Sequence, residues 1–470
     1  MKQRIFALLL VLLMLAASLV ACNPSSGTEG TGSTTAATTP TTAPLGPMVD
    51  YVSQVKLDLT STATAKMEAT VKLFVDGDTT HFNVPVSDDF PLGVLKARYL
   101  AINTPESTGA IEEYGKQASN FTRSKLESAA SIIIESDDEN WNVDSTSSRR
   151  ALVWIWYKPE GSDTYRNLNI EILQEGLALA SSTANNRYGT IAMAALNQAK
   201  AHKLKIYSGE KDPLFYYGGA QELTLKYLRT HIADYNGTKV SFDGIVTANS
   251  DNSVYVEEYD EATGRCYGIT IYYGFSLSGY GMDIIRPGNR VHIVGTVQYW
   301  EAGGTYQISG LKYNVMKPED PDNIQKIGEG YSARFDALDV TEFNKQDNVE
   351  LVFEAEEEGQ EDEHLTFDLA YLLQGTSVSI ENLKVTKIYT TANGGDNDGA
   401  MTLTCTTQDG QTIQLRTTVL KKDGKLLTKD DFLNKTISVK GFVEYYLPEG
   451  ATQGRYQIKI VSSNYITVVG

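Results

Sequence analysis

Four short stretches of this sequence carry side chains that suit one another chemically. VDGDTTHF (75–82) sets two carboxylates, Asp76 and Asp78, on a tight strand–turn–strand. LKARYLAINTPES (95–107) supplies Arg98, Asn103, Thr104 and Glu106, and STSSRRALVWIWY (145–157) supplies Arg150 beside a strand. EEYGKQASNFTRSKL (112–126) has the apolar spacing of a supporting helix. The chemistry such residues suit is hydrolysis of a phosphodiester. A phosphate passing to a more highly charged pentacoordinate state needs fixed cations where that charge develops. Two guanidiniums provide them with bidentate donors and keep their protons. A hard cation such as Ca²⁺, held by carboxylate and carbonyl oxygens, clamps the phosphate and orients water. A positioned carboxylate takes the water's proton.

Taken singly, each piece has a plainer role. Asp-Gly-Asp is a common turn, and Asp76 is expected to cap it rather than bind a ligand. Glu106, following Pro105, would alone be a turn residue. Arg98 lies in a strand between apolar Ala97 and Tyr99-Leu100, and the alternation of ALVWIW selects Arg150 over Arg149. Taken in order, DGDT…R…TPE…YG-x-x-A…R…ALVWIW…QEGLA, residues 55–212 resemble the thermonuclease (staphylococcal nuclease-like) family along almost their whole length. The resemblance implies a calcium-dependent phosphodiesterase on an OB barrel carrying helices, acting on DNA and, as a second substrate class, RNA. It carries Asp78 and Thr104 to calcium ligands, Thr104 through its backbone carbonyl, and Arg98 and Arg150 to a phosphate-clamping pair. Glu106 becomes the general base or the group that orients the attacking water. Asn103 stands where the family often has an aspartate ligand; it keeps an oxygen donor but removes a charge, so weaker Ca²⁺ binding is expected. Ser147-Ser148-Arg149 replaces a substrate-contacting Lys-Tyr-Gly, and SSTANNRYG (181–189) lacks the tyrosines that often flank the base site. These departures leave a second reading open, a weakly active or inactive surface protein that binds nucleic acid or protein.

The elements that must position these residues are legible from periodicity. KMEATVKLFVDG, the run before NTPES, and RALVWIWYKP, which alternates around Val153, Ile155 and Tyr157, are expected strands. Residues 112–129, NLNIEILQEGLALA (ended near Gly176) and TIAMAALNQAKAHKLKIY are expected helices. Beyond residue 213 helices nearly vanish. RVHIVGTVQYWEAGGTYQISGLKYNVM (290–316) repeats as TISVKGFVEYYLPEGATQGRYQIKIVSSNYITV (436–468), with KVSFDGIV and LKVTKIYT opening the two copies. The expected class is therefore β-rich and multidomain: an α+β OB-barrel domain at 55–212, then OB-like all-β modules at 224–318 and 374–470. An immunoglobulin-like sandwich is the alternative for the two modules. An acidic connecting region, 319–373, is expected to be solvated surface or loop.

With 470 residues the chain is too long for one core. Its formal charge of −18 argues against non-specific nucleic-acid binding. That acidity is uneven: residues 55–212 hold 17 Lys+Arg against 21 Asp+Glu, and the stretch after 212 holds 22 against 36. Tyr299, Trp300 and Tyr306, with Tyr445, Tyr446 and Tyr456, suit stacking on single-stranded nucleic acid, but aromatic strand residues also fill barrels. Extra protein or wall contacts are an equal expectation for these modules.

The first 22 residues, MKQRIFALLLVLLMLAASLVAC, read as an export signal ending in a lipobox-like Leu19-Val20-Ala21-Cys22. Acylation at Cys22 would anchor the mature chain to a bacterial membrane, extracytoplasmically. Residues 23–54 begin with a Ser/Thr/Gly/Pro-rich run that reads as a flexible tether. Cys266 and Cys405 are expected to be buried apolar side chains, and the five histidines to be structural.

Overall fold

The computed structural model of the chain describes residues 46–469 apart from 110, 147, 148, 251, 275, 356–360, 393, 394, 396, 449 and 450. Cys22, the export signal, most of the tether and Ser147-Ser148 lie outside the described residues. The first barrel is built from β1 (Lys66–Asp76), β2 (Thr79–Asn83), β3 (Val94–Tyr99), β4 (Ala129–Glu135) and β5 (Ala151–Pro159). Strand β1 pairs with β2 and β4, β2 with β3, and β4 with β5, all antiparallel. A parallel pairing of β3 with β5 closes the ring. Phe82, Leu95, Ile134, Val153 and Ile155 are fully buried in the resulting core.

Strand β5 departs from the expected alternation: Val153, Trp154, Ile155 and Trp156 are all 0% exposed. One face fills the barrel, while the other lies under the helices, where Tyr188 meets both tryptophan rings edge-on. A strand covered on both sides loses its period-two signature. The helices are α1 (Gly115–Glu127), α2 (Leu168–Gln174) and α3 (Gly189–Ala201). The Asn167 side chain caps α2 by accepting from the Ile170 N–H, and Gly176, at φ 72°, reverses the chain after it. The N-terminus of α1 is held from far along the sequence. Buried Asp212 accepts the Tyr114 N–H at 2.7 Å and the Gln117 amide at 2.5 Å.

The two β modules repeat the same closure. One comprises β6 (Lys239–Ser250), β7 (Ser253–Asp260), β8 (Arg265–Tyr272), β9 (Arg290–Trp300) and β10 (Thr305–Ser309). The other comprises β11 (Ser377–Thr390), β12 (Met401–Thr406), β13 (Thr412–Thr417), β14 (Thr436–Tyr446) and β15 (Arg455–Ile460). In each, the first strand pairs with the second and the fourth, and the third runs parallel to the fifth. First-to-fourth pairing closes one sheet on itself, so the sandwich alternative is excluded. The glycine shared by the two repeats is explained by packing. A Cβ on Gly295 or Gly441 would lie 2.4 or 2.5 Å from the Ile308 or Ile458 side chain.

The acidic segment between these barrels is more ordered than charge alone suggested. Asp322 pairs with Lys239 at 2.9 Å and Lys312 at 3.1 Å. Val349–Phe353 and Glu363–Phe367 form an antiparallel hairpin whose Leu351 joins the second barrel's core. The second and third barrels touch backbone to backbone, where a Cβ on Gly268 would lie 2.6 Å from the Gly375 carbonyl carbon. Cys266 and Cys405 are buried thiols, as expected.

Candidate active site

The turn between β1 and β2 is the floor of the site. Only glycine fits at position 77, since a Cβ there would lie 2.8 Å from the Ala118 Cβ and 2.9 Å from the Thr104 Oγ1. The turn is thereby pressed against α1 and the loop after β3, and Thr122 of α1 donates to the Gly77 carbonyl at 2.6 Å. Asp78, on that turn, is buried and already engaged. One oxygen forms an ion pair with Arg98, and the other accepts the Thr104 N–H at 2.9 Å. Arg98 reaches with its second terminal nitrogen to the Asn103 side-chain oxygen. One guanidinium fork therefore bridges Asp78 and Asn103.

Arg150 approaches from β5. Its Nε donates to Asp144 at 2.7 Å, which steers the terminal nitrogens toward Thr79, the β2 residue paired with Arg98. Burial lowers the Arg98 pKa, and the Arg150 charge lowers it further, as expected of two guanidiniums facing one site.

Glu106 stands at the rim. Burial of its carboxyl, a hydrogen bond to the Asp76 carboxyl and the Asp76 charge push its pKa up to about 8. The residue as a whole remains exposed, so the desolvation acts on the carboxyl end that meets Asp76. Asp76 itself is buried and accepts from the Gly77 N–H and the Ser107 hydroxyl, both within 2.8 Å. It does cap the turn, and it also fixes the loop that carries Glu106. Gly115 packs α1 onto that same loop, since a Cβ there would lie 2.1 Å from the Glu106 carbonyl oxygen.

The structure thus brings Asp78, Arg98, Asn103 and Thr104 into direct contact, with Glu106 and Arg150 facing the cluster. Asp76's grip on Ser107, Asp144 and Asp212 were not singled out from sequence as supports; nothing in their local spacing marks them. Among the described residues no three His, Cys, Asp or Glu side chains gather as a metal cluster. With Asn at 103, Asp78 is the one charged ligand of the expected set. The donors present nevertheless suit a hard cation: a carboxylate, an amide oxygen and a main-chain carbonyl. Beside them the buried Thr104 Oγ1 has no hydrogen-bond partner among the described residues. His81 of β2 is held neutral, its pKa pushed down to about 4 by burial and by Lys96, Lys72 and Arg150.

Residues 96–209 match the family model described as staphylococcal nuclease homologue. The chain carries a domain of that family, with its OB barrel, and the C-terminal barrels add two OB-like modules. No curated protein matches the chain.

Proposed function

We propose that this domain makes the chain a membrane-anchored, calcium-dependent nuclease, hydrolysing phosphodiester bonds of extracellular DNA, with RNA as a second substrate class. The observation that supports it best is the contact cluster of Asp78, Arg98, Asn103 and Thr104, with Glu106 and Arg150 at its edge. Asp78, Asn103 and the Thr104 carbonyl would hold Ca²⁺, which when bound supplies Lewis-acid polarisation of the phosphate and a site for the attacking water. Glu106 accepts the proton of that water as its oxygen bonds to phosphorus. Arg98 and Arg150 stabilise the charge that accumulates on the phosphoryl oxygens, until the bond to the leaving oxygen breaks. Arg98 must first exchange its contacts to Asp78 and Asn103 for the phosphate, and the flexible reach of its side chain permits that. Cys22 is the proposed lipid anchor, leaving residues 47–469 outside the membrane.

The Asn at 103 favours a second reading, a binding protein that holds nucleic acid without cutting it. One experiment separates the two: cleavage of single- and double-stranded DNA by the full chain, with Ca²⁺ and with chelator. Cleavage that needs Ca²⁺ and falls roughly 10²–10³-fold in Glu106→Gln is expected. No cleavage with Ca²⁺ or any other divalent ion would sink the nuclease reading, and binding without cleavage would establish the second.

A further inference from the structure

The first two barrels meet beside the catalytic loop. Gln298 of β9 donates to the Ser107 carbonyl at 3.0 Å, and Arg123 of α1 pairs with Glu301. Between them opens a cleft of about 1050 Å³, with Ser107 and Glu112 at one end. It exceeds the roughly 300–1,000 Å³ of pockets for compact ligands. Tyr272, Tyr299, Trp300, Tyr306 and Tyr445 line it. Ser107, next in sequence to the proposed catalytic carboxylate, thus lines the same cleft as these rings.

We propose that this cleft is the subsite for a single-stranded polynucleotide running away from the scissile phosphate, an inference that rests on the nuclease reading. Tyr299 and Trp300 are 41% and 49% exposed, large for aromatic side chains on a closed barrel. Trp300 is backed by Gly303, where a Cβ would lie 2.1 Å from the indole, so the ring is braced rather than loose. The Tyr299 and Tyr306 rings are 4.9 Å apart and tilted by 59°, which leaves them as separate faces rather than one stack. Such rings accept unpaired bases; in a duplex the bases are already stacked on each other.

Among the described residues the cleft is lined by five basic and five acidic side chains, so charge neither selects nor repels this occupant. Lys116 lines the cleft and has no carboxylate partner among the described residues. Arg123, Lys239 and Lys459 line it too, each paired with a carboxylate. Phosphate attraction is therefore slight and stacking dominates, so affinity depends only weakly on salt, with a slope of about one on logarithmic axes.

The test uses the full chain carrying Glu106→Gln in Ca²⁺, with fluorescence anisotropy of a labelled 12-nucleotide single strand and a 12-base-pair duplex. The single strand is expected to bind more tightly. Trp300→Ala and Tyr299→Ala are each expected to weaken it about tenfold. Trp300→Phe, which keeps a ring, retains most of the affinity, and unchanged unfolding temperatures confirm intact folds. In the background with Glu106 intact, hydrolysis of a p-nitrophenyl phosphodiester of one nucleotide reports the reaction centre by itself. Undiminished strand affinity in the alanine variants, equal loss in Trp300→Phe, or a duplex bound as tightly overturns the subsite. Failure of the intact chain to hydrolyse the small diester overturns the nuclease reading instead.

Discussion

Asn103 would set the charge available to the Ca²⁺ proposed for this site, because it shares the Arg98 fork with Asp78 and offers a neutral oxygen. Asn103→Asp would place a negative charge at that proposed ligand oxygen. It is expected to lower the Ca²⁺ concentration for half-maximal cleavage, and an unchanged titration would show that position 103 is not a ligand. Glu106 gives a second prediction, in the metal-free protein. Its carboxyl pKa rises from 4.5 to about 8 in the fold, so the folded state binds this proton more tightly than the unfolded chain. The stability it contributes is fully present below pH 4.5 and is lost as pH rises through 8. Glu106→Gln mimics the protonated acid, so in chelator it should gain stability on the parent between pH 5 and pH 9. Thermal melts at the two pH values decide it; parallel shifts would mean that the proton is not shared with Asp76. The order Asp78, Arg98, Thr104, Glu106 and Arg150 was legible because each lies in a recognisable local motif. Asp144 was not: its partnership with Arg150 depends on a loop conformation that residue spacing does not encode.

At the scale of elements, the sequence pattern located the three helices and strands β1, β2, β3 and β5 of the first barrel but not β4, and the contacts that orient α1 come from elsewhere. Asp212, 2% exposed, serves as a remote cap, satisfying a Tyr114 N–H that α1 cannot pair internally. A cap drawn from nearly a hundred residues away leaves no S/T/D-x-x-E signature to find. Asp212→Ala strands a buried N–H and frees the Gln117 amide, for a loss of about 1–3 kcal/mol in chemical denaturation. Because α1 packs on the Gly77 turn and on the Glu106 carbonyl, turnover should fall with it. Full stability in the variant would show that the cap is dispensable. Strand β5 teaches the complementary lesson. Its aromatic run was recognised as a strand, but its burial on both faces follows from helices that cover it only after the chain folds.

At the scale of the whole molecule, the second and third of three barrels of one topology are joined by polar contacts buried at their junction. The repeats announced the second and third barrels, since Gly295 and Gly441 answer the same steric demand in each. Their junction was silent in sequence because its parts are single residues in unrelated strands. Glu257 of β7, 2% exposed, accepts from the Ser377 N–H at 2.6 Å and the Ser377 hydroxyl at 2.8 Å. Nearby, Arg229 donates to Gln374 across the same boundary at 2.9 Å. An ordinary flexible linkage would leave each barrel to unfold independently. Buried charge-assisted bonds instead couple the two, so calorimetry of the full chain should show them melting in a shared transition. Glu257→Ala strands the buried Ser377 N–H at a cost of about 1–3 kcal/mol, which lowers that transition or splits it. Glu257→Gln keeps one acceptor oxygen and should fall between. A transition unmoved by Glu257→Ala would mean that the barrels are merely adjacent, and that the cleft between the first two owes its shape to the Gln298 and Arg123 contacts alone.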